Sequence, residues 1–366
     1  MIKRFISFLL LACLCTACFA ACGDSTDSSD SGSVSTDDTE LSEVASGTAS
    51  EEVSDEASGP SDITVEGNAK ELPALLEEYP MVVNKISSTV YRVDCASAEE
   101  GQTLQLTFTE KDWGTWNLGA WRLYSSDGKY TNFVSGSTDW EYVYRSGKDS
   151  GSWVWSGGNH GNEKLISLKF YNGETDEEIK MSMGDSRTVN VLRIVEKTQL
   201  HWGDTEDTYC DVVRTYTITG PQIILDVDYE YTQDCYHWLS YTCMFPIEKK
   251  YGLWCDMIGV DNNLIKTIET LKVGAADYSG PMNNGNAAWR ADIYGYEDDR
   301  YHFDIRVRTI ESSLENMTNA FKTAFWDMNT GTNKLYFSKF DQNTPTLVPA
   351  GTTLSTQCLW YFSVEE

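Results

Sequence analysis

From about residue 90 to the C-terminus, apolar and polar residues alternate with a period of two, which is the spacing of strands with one buried face. The pattern is clearest over residues 212–231. There, β-branched residues and tyrosines alternate with Thr, Asp and Glu on either side of a turn at Gly220-Pro221. We predict a long antiparallel hairpin in which one face packs on the core and the other faces water.

Several other segments repeat this alternation. A second hairpin is predicted from strands at 291–296 and 300–309 around the acidic turn 297–299. Further strands are predicted at 90–95, 103–109, 119–124, 165–171, 189–197, 238–245, 333–340 and 357–364. Helical spacing occurs near 71–79 and over 309–326. The pattern therefore predicts an all-β fold, a large antiparallel two-sheet sandwich with one or two short helices, formed as a single domain by residues 67–366.

The first 22 residues follow a different pattern. Lys3 and Arg4 precede an apolar run over 5–14 and then small residues, which indicates a secretory signal too short for a membrane span. Its end, Phe19-Ala20-Ala21-Cys22, meets a polar tract directly and resembles the lipobox of bacterial lipoproteins. In that family the cysteine sulfur receives a diacylglycerol, and the signal is cut just before the cysteine.

The resemblance implies that Cys22 is the lipidation site, with Cys18 as the alternative. Acyl chains there would anchor the protein on the extracytoplasmic face of the bacterial cell membrane, at the cell surface. Residues 23–66 follow with 13 Asp and Glu and neither Lys nor Arg, so we predict a disordered acidic tether. Its ends are expected to lie about 35–40 Å apart.

Charge narrows the range of partners. The 366-residue chain has a formal charge of −28, and residues 67–366 keep 26 basic and 43 acidic residues, a net −17. This acidity argues against nucleic acid as a partner and against electrostatic docking on anionic lipid. Because the sequence has no P-loop, GxSxG, HExxH, EF-hand or dinucleotide motif, we predict no cofactor and no metal. The six cysteines after the signal leave disulfides and buried free thiols equally open, with Cys235 and Cys243 as the local pair.

A glycine-rich segment, 156–163 (SGGNHGNE), contains the first of the four histidines, His160, directly after the aromatic stretch 153–155. Glycines on both sides let the backbone approach a ligand closely and expose the imidazole. Together with Trp140-Glu141 upstream, the segment resembles all-β modules of bacterial surface and phage tail proteins that handle polysaccharides. The resemblance implies a polysaccharide partner.

If the protein cleaves such a polymer as a lyase, it needs a base, a group that neutralises a uronate carboxylate and a proton donor. The candidate catalytic residues are His160, Tyr236, His201, His237 and Arg290, with Arg306 as a further cation. The candidate glycan-binding residues are Asn159, Trp140, Trp155, Trp202 and Trp238. A hydrolase would instead use two carboxylates, for which Glu141 and Glu163 are the candidates.

Two non-catalytic hypotheses remain beside the enzyme. One is a glycan-binding lipoprotein that uses the same Trp and Tyr residues, and the other is a structural or adhesive surface protein with no small-molecule site. Convergence of the titratable candidates in one cleft would favour catalysis, whereas a row of Trp and Tyr rings would favour binding. The acidic surface counts against acidic polysaccharides unless the binding groove is locally basic.

Overall fold

The computed structural model describes residue 76 and residues 79–365, apart from 136–139, 204, 271–279, 284–286, 319, 329–330 and 341–343. The signal peptide, Cys22, the tether and nearly all of the helix predicted at 71–79 lie outside the described residues. The described residues belong to one unit, Pro60–Glu366.

The described chain is built almost entirely of strands. In chain order they are β1 (Met81–Ser87), β2 (Val90–Ala96), β3 (Thr103–Glu110), β4 (Trp116–Tyr124), β5 (Tyr130–Val134), β6 (Glu141–Asp149), β7 (Ser152–Ser156), β8 (Glu163–Asn172), β9 (Ser186–Val189), β10 (Leu192–His201), β11 (Thr208–Thr219), β12 (Gln222–Tyr231), β13 (Cys235–Glu248), β14 (Trp254–Gly259), β15 (Leu264–Glu269), β16 (Gly280–Asn283), β17 (Ala288–Tyr294), β18 (Tyr301–Ser312), β19 (Lys322–Asp327), β20 (Thr332–Ser338), β21 (Thr346–Val348) and β22 (Thr353–Val364). Three single-turn 3₁₀ helices interrupt them, η1 (Gly158–His160), η2 (Lys249–Tyr251) and η3 (Glu315–Thr318).

The strands form three antiparallel sheets. A six-stranded sheet has the order β5-β4-β3-β2-β1-β9, and a nine-stranded sheet has the order β15-β14-β17-β18-β22-β12-β11-β10-β8. The third sheet has seven strands, in the order β16-β19-β20-β13-β6-β7, with β21 paired to the long strand β13. The all-β antiparallel prediction is therefore confirmed, although the strands are divided among three sheets where two were expected.

Both predicted hairpins are present. Strands β11 and β12 pair from Cys210 with Tyr231 to Thr219 with Gln222, and β17 pairs with β18. The helix predicted over 309–326 is wrong. In the described residues β18 continues to Ser312 against β22, η3 makes one turn, and β19 then pairs with β20. Alternating burial along β19, from exposed Lys322 to buried Asp327, shows the period of two that overrode the helical spacing.

The main hydrophobic core lies where the three sheets meet. Trp121 of the six-stranded sheet is 1% exposed, and its ring centroid lies 6.3 Å from that of Phe245 in the seven-stranded sheet. The same ring lies 5.9 Å from Phe303 and 6.2 Å from Phe362, both in the nine-stranded sheet. One tryptophan thus joins all three sheets by edge-to-face packing, which is a favourable geometry for aromatic pairs.

The thiols of the described residues form no disulfide bonds. The cysteines after the signal, Cys95, Cys210, Cys235, Cys243, Cys255 and Cys358, are all buried and free. The local Cys235–Cys243 bridge that spacing allowed is therefore not formed. Across the described part of the chain, no helix is both long and apolar enough to cross a membrane.

Candidate functional site

A second, smaller hydrophobic cluster lies on the face of the seven-stranded sheet that points away from the core. Val143 lies between Tyr142 and Tyr144 on β6, and those two tyrosines belong to the main core. Because successive side chains of a strand point to opposite faces, Val143 lies on the outer face, where it packs with Met244 and Tyr336. A sheet face that carries an apolar cluster of its own is a candidate binding surface.

Aromatic rings form a row across this outer face. The ring centroids of His160 and Trp155 are 5.2 Å apart, with 23° between the ring planes. Those of Trp155 and Tyr241 are 6.4 Å apart at 16°, and those of Tyr241 and Tyr336 are 4.2 Å apart at 18°. Trp326 meets Tyr336 nearly edge-on, at 6.1 Å and 86°. Four near-parallel rings from η1, β7, β13 and β20 thus stack on one another in a row.

These rings border an open groove of about 230 Å³, which we call the aromatic groove. It is lined by Val143, Trp155, His160, Tyr241, Met244, Trp326, Met328 and Tyr336. Trp155, Tyr241 and Trp326 are half-buried and His160 is exposed, so the groove is accessible from solvent. Its lining is apolar and aromatic, with the imidazole and phenol groups as its polar atoms, a composition typical of small-molecule and sugar sites.

The glycine-rich loop explains how His160 reaches this row. Gly157 and Gly158 have φ angles of 90° and 52°, in the left-handed region that favours glycine. A Cβ atom on Gly157 would lie 2.6 Å from the Tyr142 ring, so the loop can pack this closely on β6 only without side chains. Asn162 Nδ2 donates a hydrogen bond of 2.6 Å to the carbonyl of Trp155, which ties the loop to β7. The glycines therefore serve packing, and the packing presents the imidazole beside Trp155.

Of the ten residues predicted for catalysis and binding, the structure brings His160 and Trp155 together in the groove. Asn159 is next to His160 in the loop, and its amide oxygen accepts a hydrogen bond of 2.8 Å from Lys111 Nζ. Tyr236 and Trp238 lie on β13, the strand that also carries Tyr241, and are half-buried. Neither of them lines the groove.

His237 lies in the interior. It is 0% exposed, its Nδ1 lies 2.8 Å from Ser146 Oγ, and its Nε2 lies 3.1 Å from the Tyr231 hydroxyl. Burial lowers the pKa of His237 to about 3, so the ring is neutral at ordinary pH. We therefore withdraw His237 as a catalytic base, because no substrate can reach a ring enclosed on all sides.

The remaining catalytic candidates lie on other elements. His201 ends β10, and its Nδ1 lies 2.8 Å from the carbonyl of Gly203. Arg290 is on β17 in the nine-stranded sheet, where its Nε donates to Asp304 at 3.1 Å. Arg306 donates to the same carboxylate from β18, at 3.0 Å. The two arginines form an ion-pair ladder on a different sheet from His160, so the lyase set is not assembled in one cleft.

Two tryptophans predicted to bind glycan are core residues instead. Trp140 is 2% exposed, and its ring centroid lies 5.9 Å from that of Trp121 and 5.7 Å from that of Phe245. Trp202 is 6% exposed and stacks on Tyr209 with 4.0 Å between centroids. Both predictions are corrected, because rings this deeply packed stabilise the fold and offer no face to a ligand.

The two carboxylates considered for hydrolysis are also enclosed. Glu141 is 0% and Glu163 is 1% exposed, and both belong to a buried cluster around the guanidinium of Arg214. The nitrogens of Arg214 lie 3.1 Å from Glu141, 3.7 Å from Glu163 and 2.7 Å from Glu196. A glycosidic bond cannot approach this cluster in the described structure, so neither residue serves as the acid or nucleophile of a hydrolase.

The cluster is held in place by several hydrogen bonds. Glu141 accepts from the backbone amide of Leu118 at 2.6 Å and from the Tyr216 hydroxyl at 2.9 Å, although its own φ of 76° is in the left-handed region. The Tyr142 hydroxyl donates to Glu163 at 2.8 Å. The fixed partners offset the backbone strain of Glu141, which is on the order of 1 kcal/mol. Burial raises the pKa of Glu141, and it raises that of Glu196 to about 8.

Three aromatic residues of the groove were missed by sequence reasoning. Tyr241 and Tyr336 fell inside the predicted strands 238–245 and 333–340 but were not singled out, and Trp326 fell inside the helix that proved wrong. The usable signal was the period of two in β19, which places Ala324 and Trp326 on one face and Phe325 on the other. Within the described residues, no group of three or more His, Cys, Asp or Glu is arranged to hold a metal ion.

No protein-family model and no curated protein matches the chain. The GH36 alpha-galactosidase AgaA from Geobacillus stearothermophilus is similar over 75% of this chain and 41% of its own, with a TM-score of 0.45 and 8% identity. The alpha-galactosidase from Lactobacillus brevis is similar over 75% and 39%, with a TM-score of 0.43 and 7% identity. The Slr1438 protein from Synechocystis sp. PCC 6803 is similar over 72% and 92%, with a TM-score of 0.40 and 9% identity. The chain thus spans less than half of each alpha-galactosidase, and likenesses of this strength assign it to no family.

Proposed function

We propose that this protein is an extracytoplasmic lipoprotein that binds polysaccharide in the aromatic groove without cleaving it. The observation that carries the proposal is the row of near-parallel rings His160, Trp155, Tyr241 and Tyr336 on an accessible sheet face. Sugar rings have apolar C–H faces that pack against aromatic faces, while their hydroxyls need polar partners at the rim. The stacked row supplies the apolar ring surface that lines the groove, and its imidazole and phenol groups supply polar partners.

The arrangement of the other candidates argues against turnover. A lyase or hydrolase needs its acid, base and charge-neutralising group within reach of one bond. Here His160 lies in the groove, Arg290 pairs with Asp304 on another sheet, and Glu163 is enclosed with Arg214. A single imidazole beside an aromatic row suits binding better than catalysis.

The test uses the purified full chain with a broad panel of soluble polysaccharides, measured by affinity electrophoresis. We expect one or more polymers to be retained, and Trp155→Ala or Tyr241→Ala to weaken retention about 5- to 30-fold through the loss of about 1–2 kcal/mol of ring packing. Tyr130→Ala is the matched control, because Tyr130 is 58% exposed on β5 in a different sheet. If no polymer of the panel is retained, the glycan-binding proposal is wrong and the structural or adhesive role is left.

The same mixtures report on catalysis. Ultraviolet absorbance of an unsaturated product and the number of reducing ends should both stay constant. Growth of either signal that is abolished by His160→Ala would replace the binding proposal with an enzymatic one.

The lipid anchor is tested separately in a bacterial host. Labelled palmitate should enter the wild-type chain and the Cys18→Ser variant but not Cys22→Ser. Labelling that depends on Cys18 instead would move the lipidation site, and no labelling of the wild type would remove the anchor from the proposal.

A further inference from the structure

We infer that the glycan in the aromatic groove is acidic, and that Arg145 binds its carboxylate or sulfate. This inference rests on the proposed function and deepens it by naming the class of sugar. It stands on the distribution of charge over the seven-stranded sheet and on the stacking of one guanidinium beside the ring row.

The groove face is rich in cations. Arg145 pairs with Trp155 across β6 and β7, and Lys334 pairs with Trp326 across β20 and β19, so each cation shares a face with a groove ring. Lys322 lies on β19 four residues before Trp326, which by the alternation of side chains puts it on that face as well. Three cations therefore lie on the groove face of the sheet, in a protein whose residues 67–366 carry a net charge of −17.

The acidic residues of the same strands each have a partner. β6, β7, β13, β19 and β20 contain four of them. Asp327 and Glu141 lie in the interior, where they pair with Lys249 and Arg214. Asp149 caps the β6–β7 turn by accepting a hydrogen bond from the Gly151 amide, and Glu248 lies beside Lys250. By the alternation of side chains Glu248 also shares the face of Met244, and Asp149 lies at the β6–β7 end of that face. Among the described residues of these strands, cations therefore outnumber carboxylates on the groove face, opposite to the balance of the body.

Of these three cations, Arg145 is the one best placed to bind an oxyanion. Its Cζ lies 3.4 Å from the centroid of the Trp153 ring and 5.6 Å from that of Trp155. Stacking on tryptophan fixes the plane of a guanidinium and leaves its N–H edge pointing along that plane, where it matches the two oxygens of a carboxylate. A sugar bound in the groove beside Trp155 would place a ring substituent next to this edge.

Arg145 is assigned to the oxyanion because of its position beside Trp155, and the assignment does not need unoccupied N–H groups. Arg145, Lys322 and Lys334 each have other contacts, but a guanidinium carries five N–H donors. A polyanion is also guided by the net field, because the acidic faces of the body repel it while the groove face attracts it. This local basicity removes the objection to acidic polysaccharides that the overall charge raised.

The test compares polymers that differ only in charge. The full chain is titrated with polygalacturonate, hyaluronan and chondroitin sulfate, each beside its carboxyl-reduced or desulfated counterpart, at low and at high salt. We expect an acidic polymer to bind at least about 10-fold more tightly than its neutral counterpart, with the difference shrinking as salt screens the charges. Loss of tight binding on carboxyl reduction identifies a carboxylate, and loss on desulfation identifies a sulfate.

The variant Arg145→Gln should remove most of that preference for the acidic polymer. Arg193→Gln is the matched control, since Arg193 also stacks on an aromatic ring, Tyr171 at 4.6 Å, but lies on β10 of the nine-stranded sheet. Arg145→Lys keeps the positive charge but loses the planar pair of N–H donors. It should therefore retain the salt dependence of acidic-polymer binding but not the full affinity. Thermal melting of each variant checks its folding.

The outcomes separate the two proposals. Equal binding of the acidic and neutral forms, or an acidic preference that survives Arg145→Gln in a folded protein, would overturn the inference and leave glycan binding intact. Binding of no polymer at all would overturn both.

Discussion

Replacing one buried carboxylate should remove most of the alkaline sensitivity of this fold. The perturbation is Glu196→Gln, which keeps the shape of the protonated acid and removes its ionisation. Glu196 is 0% exposed, accepts a hydrogen bond of 2.8 Å from the Trp116 amide and lies 2.7 Å from Arg214. With Glu141 and Glu163 beside the same guanidinium, three carboxylates share one cation. Full ionisation would leave a net charge of −2 in the interior, so the folded cluster binds protons.

The magnitude follows from the pKa of Glu196. Burial raises it from 4.5 to about 8, with the neighbouring carboxylates adding to the shift and Arg214 opposing it. Between these values the unfolded chain is ionised while the folded cluster keeps the proton. The folded state thus binds more protons, and the free energy of unfolding falls as pH rises. At about 1.4 kcal/mol per pH unit, the loss between pH 4.5 and pH 8 approaches about 5 kcal/mol.

The assay is urea unfolding of the full chain at intervals from pH 5 to pH 9, for wild type and variant. His302 contributes with the same sign, because hydrogen bonding to Asp292 raises its pKa. The difference between the two proteins, not the wild-type curve alone, therefore isolates Glu196. That difference should grow with pH by several kcal/mol. Infrared spectroscopy of the wild type at pH 6.5 should also show the carbonyl stretch of a protonated carboxyl, weakened in Glu196→Gln.

A matched control is Glu230→Gln, since Glu230 is an exposed carboxylate on the long strand β12. Its unfolding curves should run parallel to those of the wild type. If the curves of Glu196→Gln also run parallel to the wild type across the whole pH range, the cluster holds no proton on Glu196 and the reasoning is refuted.

Three further predictions concern stability. The lowered pKa of His237, about 3, means that the free energy of unfolding should also fall from pH 6.5 downward, by about 3 kcal/mol at pH 4, and its imidazole NMR signals should not titrate above pH 4 in the folded protein. Trp121→Ala should lower the free energy of unfolding by about 3–5 kcal/mol in urea, because this ring joins all three sheets. Trp140→Phe should lower the melting temperature without changing glycan affinity, whereas a loss of affinity in the folded variant would return Trp140 to the binding site.

The strand content was predictable because alternation is a local property of the sequence. The hairpin 212–231 needed only its own residues, and β11 and β12 pair as the turn at Gly220-Pro221 indicated. The helix over 309–326 failed for the opposite reason. Strand β18 pairs with β22, which is far away in sequence, and β19 pairs with the next strand, β20, and these pairings outweigh the local helical spacing.

Which side chains meet at the site was less predictable, because irregularities in β13 change which face a residue occupies. His237 and Tyr241 are four residues apart, so simple alternation would put them on the same face. The register of β13 against β6 shifts between His237 and Leu239. The shift leaves His237 inside, opposite Ser146, and turns Tyr241 outward, opposite Val143. Nothing in the sequence marks this bulge.

Strand β6 shows how closely the buried cluster and the groove are linked. Its inward positions include Tyr142, which donates to Glu163, while its outward positions Val143 and Arg145 border the ring row. A slip of one residue would exchange the two sets, placing Arg145 in the core and Tyr142 in the groove. A slip would separate Glu141 from Asn117 and the Tyr142 hydroxyl from Glu163, and the loss of these buried hydrogen bonds opposes it. The buried charges therefore fix the register of β6 that puts the Arg145 guanidinium beside Trp153 and Trp155. In this way the buried acidic cluster has a role in the aromatic groove on the opposite face of the sheet.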